Sequence, residues 1–129
     1  MPKKRTEKNR KKPLVGILVG SRADLPFLKG TLEILERFAV PFELNIGSAH
    51  RTPDRVIRYS ATAETRGLKA IIVGAGAAAH LAGAVAARTI LPVLAIPLPT
   101  TSLQGMDALL ATVQMPAGIP VATLAVGEA

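Results

Sequence analysis

The residues with the greatest capacity for chemistry are Ser48, His50 and Arg51, which lie within four positions of one another. An Arg guanidinium presents a planar set of N–H donors that matches a phosphate group. His is the side chain that both donates and accepts a proton near neutral pH. The cluster therefore predicts an anion site with His50 as an acid–base group, although a lone His more often has a structural role.

A second candidate segment is Gly20-Ser21-Arg22-Ala23-Asp24. Small residues before the start of a helix allow backbone amides and a hydroxyl to approach an anion. Ser21 is therefore a predicted phosphate ligand, although a plain tight turn uses the same residue types. Asp24 either caps the following helix or accepts hydrogen bonds from sugar hydroxyls, and the local sequence leaves both roles open.

The third candidate segment, residues 74–80, reads GAGAAAH and resembles a dinucleotide-binding fingerprint. We reject that interpretation because the acid expected at the end of the next strand is absent from residues 93–97. Gly74, Ala75 and Gly76 more simply allow a ligand to lie against the backbone. His80 either lines the pocket or only closes the start of the next helix.

The residue inventory excludes two further kinds of site. The chain has two His and no Cys, and no His, Asp and Glu cluster has the spacing of metal ligands, so we predict no metal site. The absence of Cys also excludes disulfides and thiolate catalysis. No arrangement of Ser, His and Asp has local support as a nucleophilic triad.

Hydrophobic periodicity predicts the elements that position these segments. Short apolar runs predict strands at residues 14–19, 42–46, 70–73, 93–96 and 121–126. Helical spacing or small-residue composition predicts helices at residues 25–38, 53–66, 78–89 and 102–113. Such alternation implies a three-layer αβα sandwich around a mainly parallel five-stranded sheet. Ligand sites in these sheets lie beyond the carboxyl ends of the strands, and the candidate segments there are residues 20–24, 47–53, 74–83 and 97–104.

The charge distribution separates a tail from a single α/β domain. Residues 1–12 hold seven basic side chains and one acidic, whereas the remaining 117 residues have a net charge of +1. We predict a disordered basic tail over residues 1–12 and one catalytic domain over residues 13–129. A tail without aromatics does not favour nucleic-acid binding, and no apolar run is long enough to span a membrane.

Five motifs resemble the 5-(carboxyamino)imidazole ribonucleotide mutase family, the catalytic subunit of the bacterial aminoimidazole ribonucleotide carboxylase system. They are GSRAD at 20–24, SAHRTPD at 48–54, GAGAAAHLAG at 74–83, LPVLAIP at 91–97 and VQMPAGIPVATLAVG at 113–127. The resemblance runs in order from about residue 14 to residue 127. The second and fifth motifs are the most specific to this family.

The resemblance implies a cytoplasmic enzyme of purine biosynthesis with a flavodoxin or Rossmann-like fold, assembled as a homo-oligomer, normally an octamer. It implies a reaction that uses no metal or organic cofactor and moves a carboxylate from the exocyclic nitrogen of a ribonucleotide substrate to ring carbon 4. His50 then corresponds to the acid–base group. The substrate-binding positions are Ser21, Asp24, Ser48, Arg51, Gly74, Ala75, Gly76 and His80.

The sequence departs from the family pattern in four respects. Ala23 stands where the family usually has Ser, Ala77 where it usually has Gly, and Ala82 where it usually has Pro. If position 77 requires a positive φ, Ala there costs roughly 1–2 kcal/mol. The sequence also ends at Ala129 without the further helix that relatives have after the last strand. The alternatives are a carboxylase that uses free carbon dioxide and a nucleotide-binding relative without activity.

Overall fold

A computed structural model describes residues 11–128 of the chain. Its strands are β1 (Val15–Val19), β2 (Phe42–Ile46), β3 (Ala70–Gly76), β4 (Val93–Leu98) and β5 (Ala122–Thr123). Its α-helices are α1 (Lys29–Arg37), α2 (Pro53–Thr62), α3 (Leu81–Ala86) and α4 (Met106–Val113), and a 3-10 helix over Arg22–Leu28 precedes α1.

The five strands form one sheet in the order β2-β1-β3-β4-β5, and every pairing is parallel. This order is the doubly wound arrangement in which the direction of strand addition reverses between β1 and β3. The predicted α/β class and parallel five-stranded sheet are confirmed.

The alternation of side chains along β1 divides the core into two clusters, one on each face of the sheet. Ile17 and Val19 are buried on one face with Leu28 from the 3-10 helix. Leu18 is buried on the opposite face with Val56 from α2 and with side chains of α3. Burying a side chain of this size contributes about 1.5–3 kcal/mol, so both layers of helices are held to the sheet by apolar packing. The predicted three layers follow from this arrangement.

The predicted helix over residues 25–38 is divided into two parts. The 3-10 helix begins after Ser21, and α1 continues from Lys29. Pro26 lies inside the 3-10 turn, where it cannot donate a backbone hydrogen bond. The N-cap is Ser21, and Asp24 lies three residues later, where its Oδ2 accepts a 3.1 Å hydrogen bond from the Ser21 N–H. Of the two roles left open for Asp24, the N-cap position is taken by Ser21, and Asp24 is the N3 residue of a capping box.

The predicted helix over residues 102–113 begins later, at Met106. Gln104 and Gly105 have φ of 54° and 91°, and this left-handed conformation ends the preceding turn. Thr101 Oγ1 donates a 2.7 Å hydrogen bond to Asp107 Oδ2, which holds that turn against the first turn of α4. Two other helices are also shorter than predicted, at Pro53–Thr62 and Leu81–Ala86.

The predicted strand over residues 121–126 is regular only at Ala122–Thr123, on the edge of the sheet. The Leu124 N–H still donates to the Ala95 carbonyl, and the Gly127 N–H to the Pro97 carbonyl, so the chain follows β4 in an irregular path. Most of the predicted basic tail, residues 1–10, lies outside the described residues. Within residues 11–128, no helix is both long enough and apolar enough to cross a membrane.

Candidate active site

A cavity of about 280 Å³ lies beyond the carboxyl ends of β1, β2, β3 and β4. It lies where the strand order reverses between β1 and β3, which is the usual ligand crevice of a doubly wound sheet. Four strand-end segments line it, with the residues Gly20, Ser21, Ala23, Asp24, Ser48, Ala49, His50, Arg51, Ala75, Gly76, Ala78, Leu81 and Thr100.

The loop after β2 is closed by hydrogen bonds between Ser48 and its own neighbours. Thr52 Oγ1 accepts a 2.9 Å bond from the Ser48 N–H, and the Thr52 N–H donates to the Ser48 carbonyl at 2.9 Å. Ser48 Oγ accepts a 3.0 Å bond from the Arg51 N–H. This closed loop places the exposed side chains of His50 and Arg51 at the cavity wall, just before Pro53 starts α2.

Ser21 and Asp24 bring a hydroxyl and a carboxyl group to the same cavity. Asp24 is 7% exposed, so its carboxyl is largely removed from solvent. Burial raises the pKa of the Asp24 carboxyl, and the hydrogen bonds from Ser21 and the positive charge of Arg51 offset part of that increase. The Asp24 carboxyl and the Arg51 guanidinium therefore line the cavity close enough to interact electrostatically.

The end of β3 supplies the wall that has few side-chain atoms. Ala75 and Gly76 line the cavity, and Ala77 has a φ of 53°. Gly74 does not line the cavity, although it is in the same strand as Ala75 and Gly76, and a Cβ on it would be 3.2 Å from Leu28 Cδ2. Its lack of a side chain therefore serves core packing, and we do not assign it a direct ligand contact.

The two histidines of the chain are in contact across the cavity rim. His50 Nε2 lies 3.0 Å from His80 Nδ1, and the ring centroids are 5.1 Å apart at an interplanar angle of 76°. His80 itself does not line the cavity. The contact leaves Nδ1 of His50 as the ring nitrogen with no hydrogen-bond partner among residues 11–128.

The cavity therefore brings together Ser21, Asp24, Ser48, His50, Arg51, Ala75 and Gly76. His80 is joined to this group through His50, and Gly74 lies beneath it. Thr52, Leu81 and Thr100 fall within the predicted candidate segments at 47–53, 74–83 and 97–104, but the sequence assigns none of them an individual role. The position of Thr100 just after a predicted strand is the signal that places it in the last of these segments.

The described residues contain no group of three or more His, Cys, Asp and Glu side chains with the geometry of a metal site. The polar groups of the cavity are instead an imidazole, a guanidinium, a carboxyl and three hydroxyls. These groups suit the binding of an anionic ligand with hydroxyl groups, and the imidazole can transfer protons to and from that ligand.

Residues 14–129 match the protein family described as AIR carboxylase. The chain belongs to this family. Among the curated members, it is 55% identical over 118 residues to the N5-carboxyaminoimidazole ribonucleotide mutase of Pyrococcus horikoshii, covering 92% of this chain and 67% of that protein. It is 57% identical over 117 residues to the protein of the same name from Synechocystis sp., covering 91% of this chain and 66% of that protein.

The fold comparison agrees with the family. The crystal structure of Treponema denticola PurE superposes with a TM-score of 0.79 at 31% identity, covering 89% of this chain and 73% of that one. The present chain thus spans about two thirds of the length of its curated AIR carboxylase relatives. The predicted family is confirmed.

Proposed function

We propose that this chain is a mutase of purine biosynthesis that converts 5-(carboxyamino)imidazole ribonucleotide into 5-amino-4-carboxyimidazole ribonucleotide. The observation that carries the proposal is the placement of His50 in one cavity with Arg51, Ser21 and Asp24, in a member of the AIR carboxylase family. Curated relatives more than half identical to the chain have the name of this mutase, which supports the same assignment.

The substrate is bound in the proposal through its phosphate and its ribose. Arg51 and Ser21 donate hydrogen bonds to the phosphate, and Ser48 contributes its hydroxyl proton because its oxygen already accepts from the Arg51 N–H. Asp24 accepts hydrogen bonds from the ribose hydroxyls. Ala75 and Gly76 lie against the imidazole ring, since their small size lets a flat ring approach the backbone.

His50 moves the protons in the proposed reaction. Its imidazolium donates a proton to the carbamate nitrogen, the N–C bond breaks, and its electron pair returns to that nitrogen as carbon dioxide is released. The electron-rich ring carbon 4 then attacks the carbon dioxide, and a new C–C bond forms. Neutral His50 finally removes the proton from carbon 4, which restores the aromatic ring and regenerates the imidazolium.

The walls of the cavity serve to retain carbon dioxide between the two bond changes. Ala75, Gly76, Ala78 and Leu81 present apolar or backbone surface that holds water poorly. The proposed reaction needs no metal ion and no organic cofactor, since the amino group makes ring carbon 4 nucleophilic and the ring nitrogens carry the positive charge that develops when carbon 4 attacks carbon dioxide. A purine-biosynthetic role places the protein in the cytoplasm in this proposal.

We further propose that the protein is a homo-oligomer, with the octamer of its family as the first expectation. Met106, Leu110 and Val113 are 56%, 58% and 43% exposed along one face of α4, and Leu103 just before it is 62% exposed. A contiguous apolar surface of this kind usually belongs to an interface. Light scattering at low micromolar concentration tests this: a monomeric protein there contradicts the proposal.

A labelling experiment separates the mutase from the alternatives. The purified protein is incubated with substrate that has ¹³C in its carbamate carboxyl, in buffer with excess unlabelled bicarbonate. A mutase retains the label in the product. The family description, AIR carboxylase, keeps the carboxylase alternative open. The second arm of the experiment therefore supplies aminoimidazole ribonucleotide and bicarbonate without the labelled substrate, and a carboxylase makes product there.

A third outcome identifies a nucleotide-binding protein without activity. It would bind the substrate and release no product. Ala77, with its strained backbone beside the cavity, is the feature that keeps this alternative open. Product formation in either arm of the experiment excludes it.

A further inference from the structure

Thr100 is the one polar side chain that the segment after β4 contributes to the cavity. The side chain is exposed, and its hydroxyl has no hydrogen-bond partner among residues 11–128. The segments after β1, β2 and β3 supply the groups already assigned above, so Thr100 is the polar lining residue that the proposed function leaves unused.

The position of Thr100 is fixed by its surroundings. Its N–H donates a 3.0 Å hydrogen bond to the Leu98 carbonyl, and the adjacent Thr101 is bonded to Asp107 at the start of α4. Its side chain also lies against the backbone of Gly76, where a Cβ would overlap Thr100 Oγ1. The absence of a side chain at position 76 is therefore what admits the Thr100 hydroxyl to the wall.

The order of the strands places this hydroxyl at the end of the cavity opposite the proposed phosphate ligands. Ser21 follows β1, and Ser48 and Arg51 follow β2, whereas Thr100 follows β4 on the other side of β3. Neighbouring strands are about 4.8 Å apart, so β1 and β4 are separated by roughly 10 Å. A ribonucleotide with its phosphate over β1 and β2 extends its imidazole over β3, toward Thr100.

The carboxylate that migrates is the expected partner of the Thr100 hydroxyl, because the other side-chain donors of the cavity already have a role in the proposed function. The lining side chains with N–H or O–H groups are Ser21, Ser48, His50, Arg51 and Thr100. In the proposed function, three of them bind phosphate and His50 transfers protons. The carboxylate is the second anion of the substrate, and Thr100 Oγ1 is the donor left for it.

We propose that the Thr100 hydroxyl donates a hydrogen bond to the carboxyl group of the substrate and product, and so makes the site prefer carboxylated aminoimidazole ribonucleotides. This inference rests on the proposed function, because the phosphate and proton-transfer roles define which donor remains. It adds to that function a group that recognises the carboxylate being moved.

The test compares two substitutions with two ligands by titration calorimetry on the full chain. Thr100→Val keeps the shape against Gly76 and removes the hydroxyl, and Thr100→Ser keeps the hydroxyl. The ligands are 5-amino-4-carboxyimidazole ribonucleotide and 5-aminoimidazole ribonucleotide, which lacks the carboxyl group. Thr100→Val is expected to lower the affinity for the carboxylated ligand by about tenfold or more, as for a lost hydrogen bond to a charged group. The affinity for the other ligand should fall by less than about twofold.

Thr100→Ser is expected to keep the preference for the carboxylated ligand. The role of Thr100 is overturned if Thr100→Val lowers the affinity for both ligands equally, or lowers neither. If Thr100→Val does not fold, Thr100→Ala replaces it in the comparison with Thr100→Ser. A wild-type protein that converts the substrate while Thr100→Val retains full preference contradicts only this inference. A wild-type protein that binds neither ligand contradicts the proposed function and this inference with it.

Discussion

The Nε2 atom of His50 lies 3.0 Å from the Nδ1 atom of His80, which connects the loop after β2 to the segment after β3. A hydrogen bond between two imidazoles requires one nitrogen to donate and the other to accept. One of the two rings is therefore neutral while the contact is formed. The contact also orients the His50 ring toward β3, over which the imidazole of the substrate lies in the proposed function.

Replacement of His50 by Asn tests its role in proton transfer. His50→Asn is expected to fold and bind substrate but to lose turnover by at least ~10²-fold, because an amide cannot donate and recover the proton. Steady-state kinetics and calorimetry measure the two quantities. His80→Asn is the control, with a smaller expected loss because His80 does not line the cavity. Near-normal turnover in His50→Asn would remove His50 from the mechanism.

Replacement of Arg51 by Ala tests the phosphate site. Arg51→Ala is expected to weaken nucleotide binding by roughly 1.5–3 kcal/mol while nucleoside binding changes little, because the lost hydrogen bond is to a charged phosphate. Arg55→Ala is the matched control, since Arg55 lies on α2 outside the cavity. Equal losses for nucleoside and nucleotide would show that Arg51 does not bind the phosphate.

Replacement of Asp24 by Asn tests the raised pKa of its carboxyl. Between the ordinary value of 3.8 and the raised value, the folded chain binds more protons than the unfolded chain. Stability from this group is therefore present at low pH and is lost as pH rises through that interval. Asp24→Asn stays neutral and still accepts the Ser21 N–H, so its unfolding free energy should increase relative to wild type as pH rises.

Urea denaturation at a series of pH values measures this difference, with Asp54→Asn on the surface of the protein as the control. The difference between Asp24→Asn and wild type should level off above the raised pKa. A difference that changes in the opposite direction would mean that the Ser21 bonds and the Arg51 charge outweigh burial.

Replacement of Ala77 by Gly tests the backbone conformation beside the cavity. Ala77 has a φ of 53°, which an L-residue with a Cβ adopts at a cost and glycine does not. Ala77→Gly is expected to raise the unfolding free energy by about 1 kcal/mol. Chemical denaturation measures it. Ala78→Gly is the control and should give no gain, because φ at Ala78 is not positive.

Much of the fold could be predicted because the strands are short apolar runs between polar turns. The bounds of β2, at Phe42–Ile46, agree with the prediction, and the sites at the ends of β1 and β2 follow from the alternation alone. The start of α4 could not be predicted, because Gln104 takes a left-handed conformation that its residue type does not favour. The turn is held by the Thr101 bond to Asp107, a contact that sequence spacing does not reveal.

The sequence indicates which residues gather at the cavity better than it indicates the contacts between them. The residue types of Ser21, His50 and Arg51 indicated chemistry, and the cavity brings them together. The bond between His50 and His80 joins positions thirty residues apart, and it depends on the register of β3 beside β1. The sequence predicts a ligand contact for Gly74, but its neighbours are Leu28 and Val19 in the core. Local sequence could not distinguish these two uses of a glycine.

The closed loop around Ser48 has a consequence for how a ligand is received. The bonds among Ser48, Arg51 and Thr52 are formed within the folded chain, before any ligand is present. The backbone that presents His50 has therefore already lost its conformational entropy on folding. A ligand that binds here orders side chains but not that segment of main chain, so little of its affinity is offset by the entropy of loop closure.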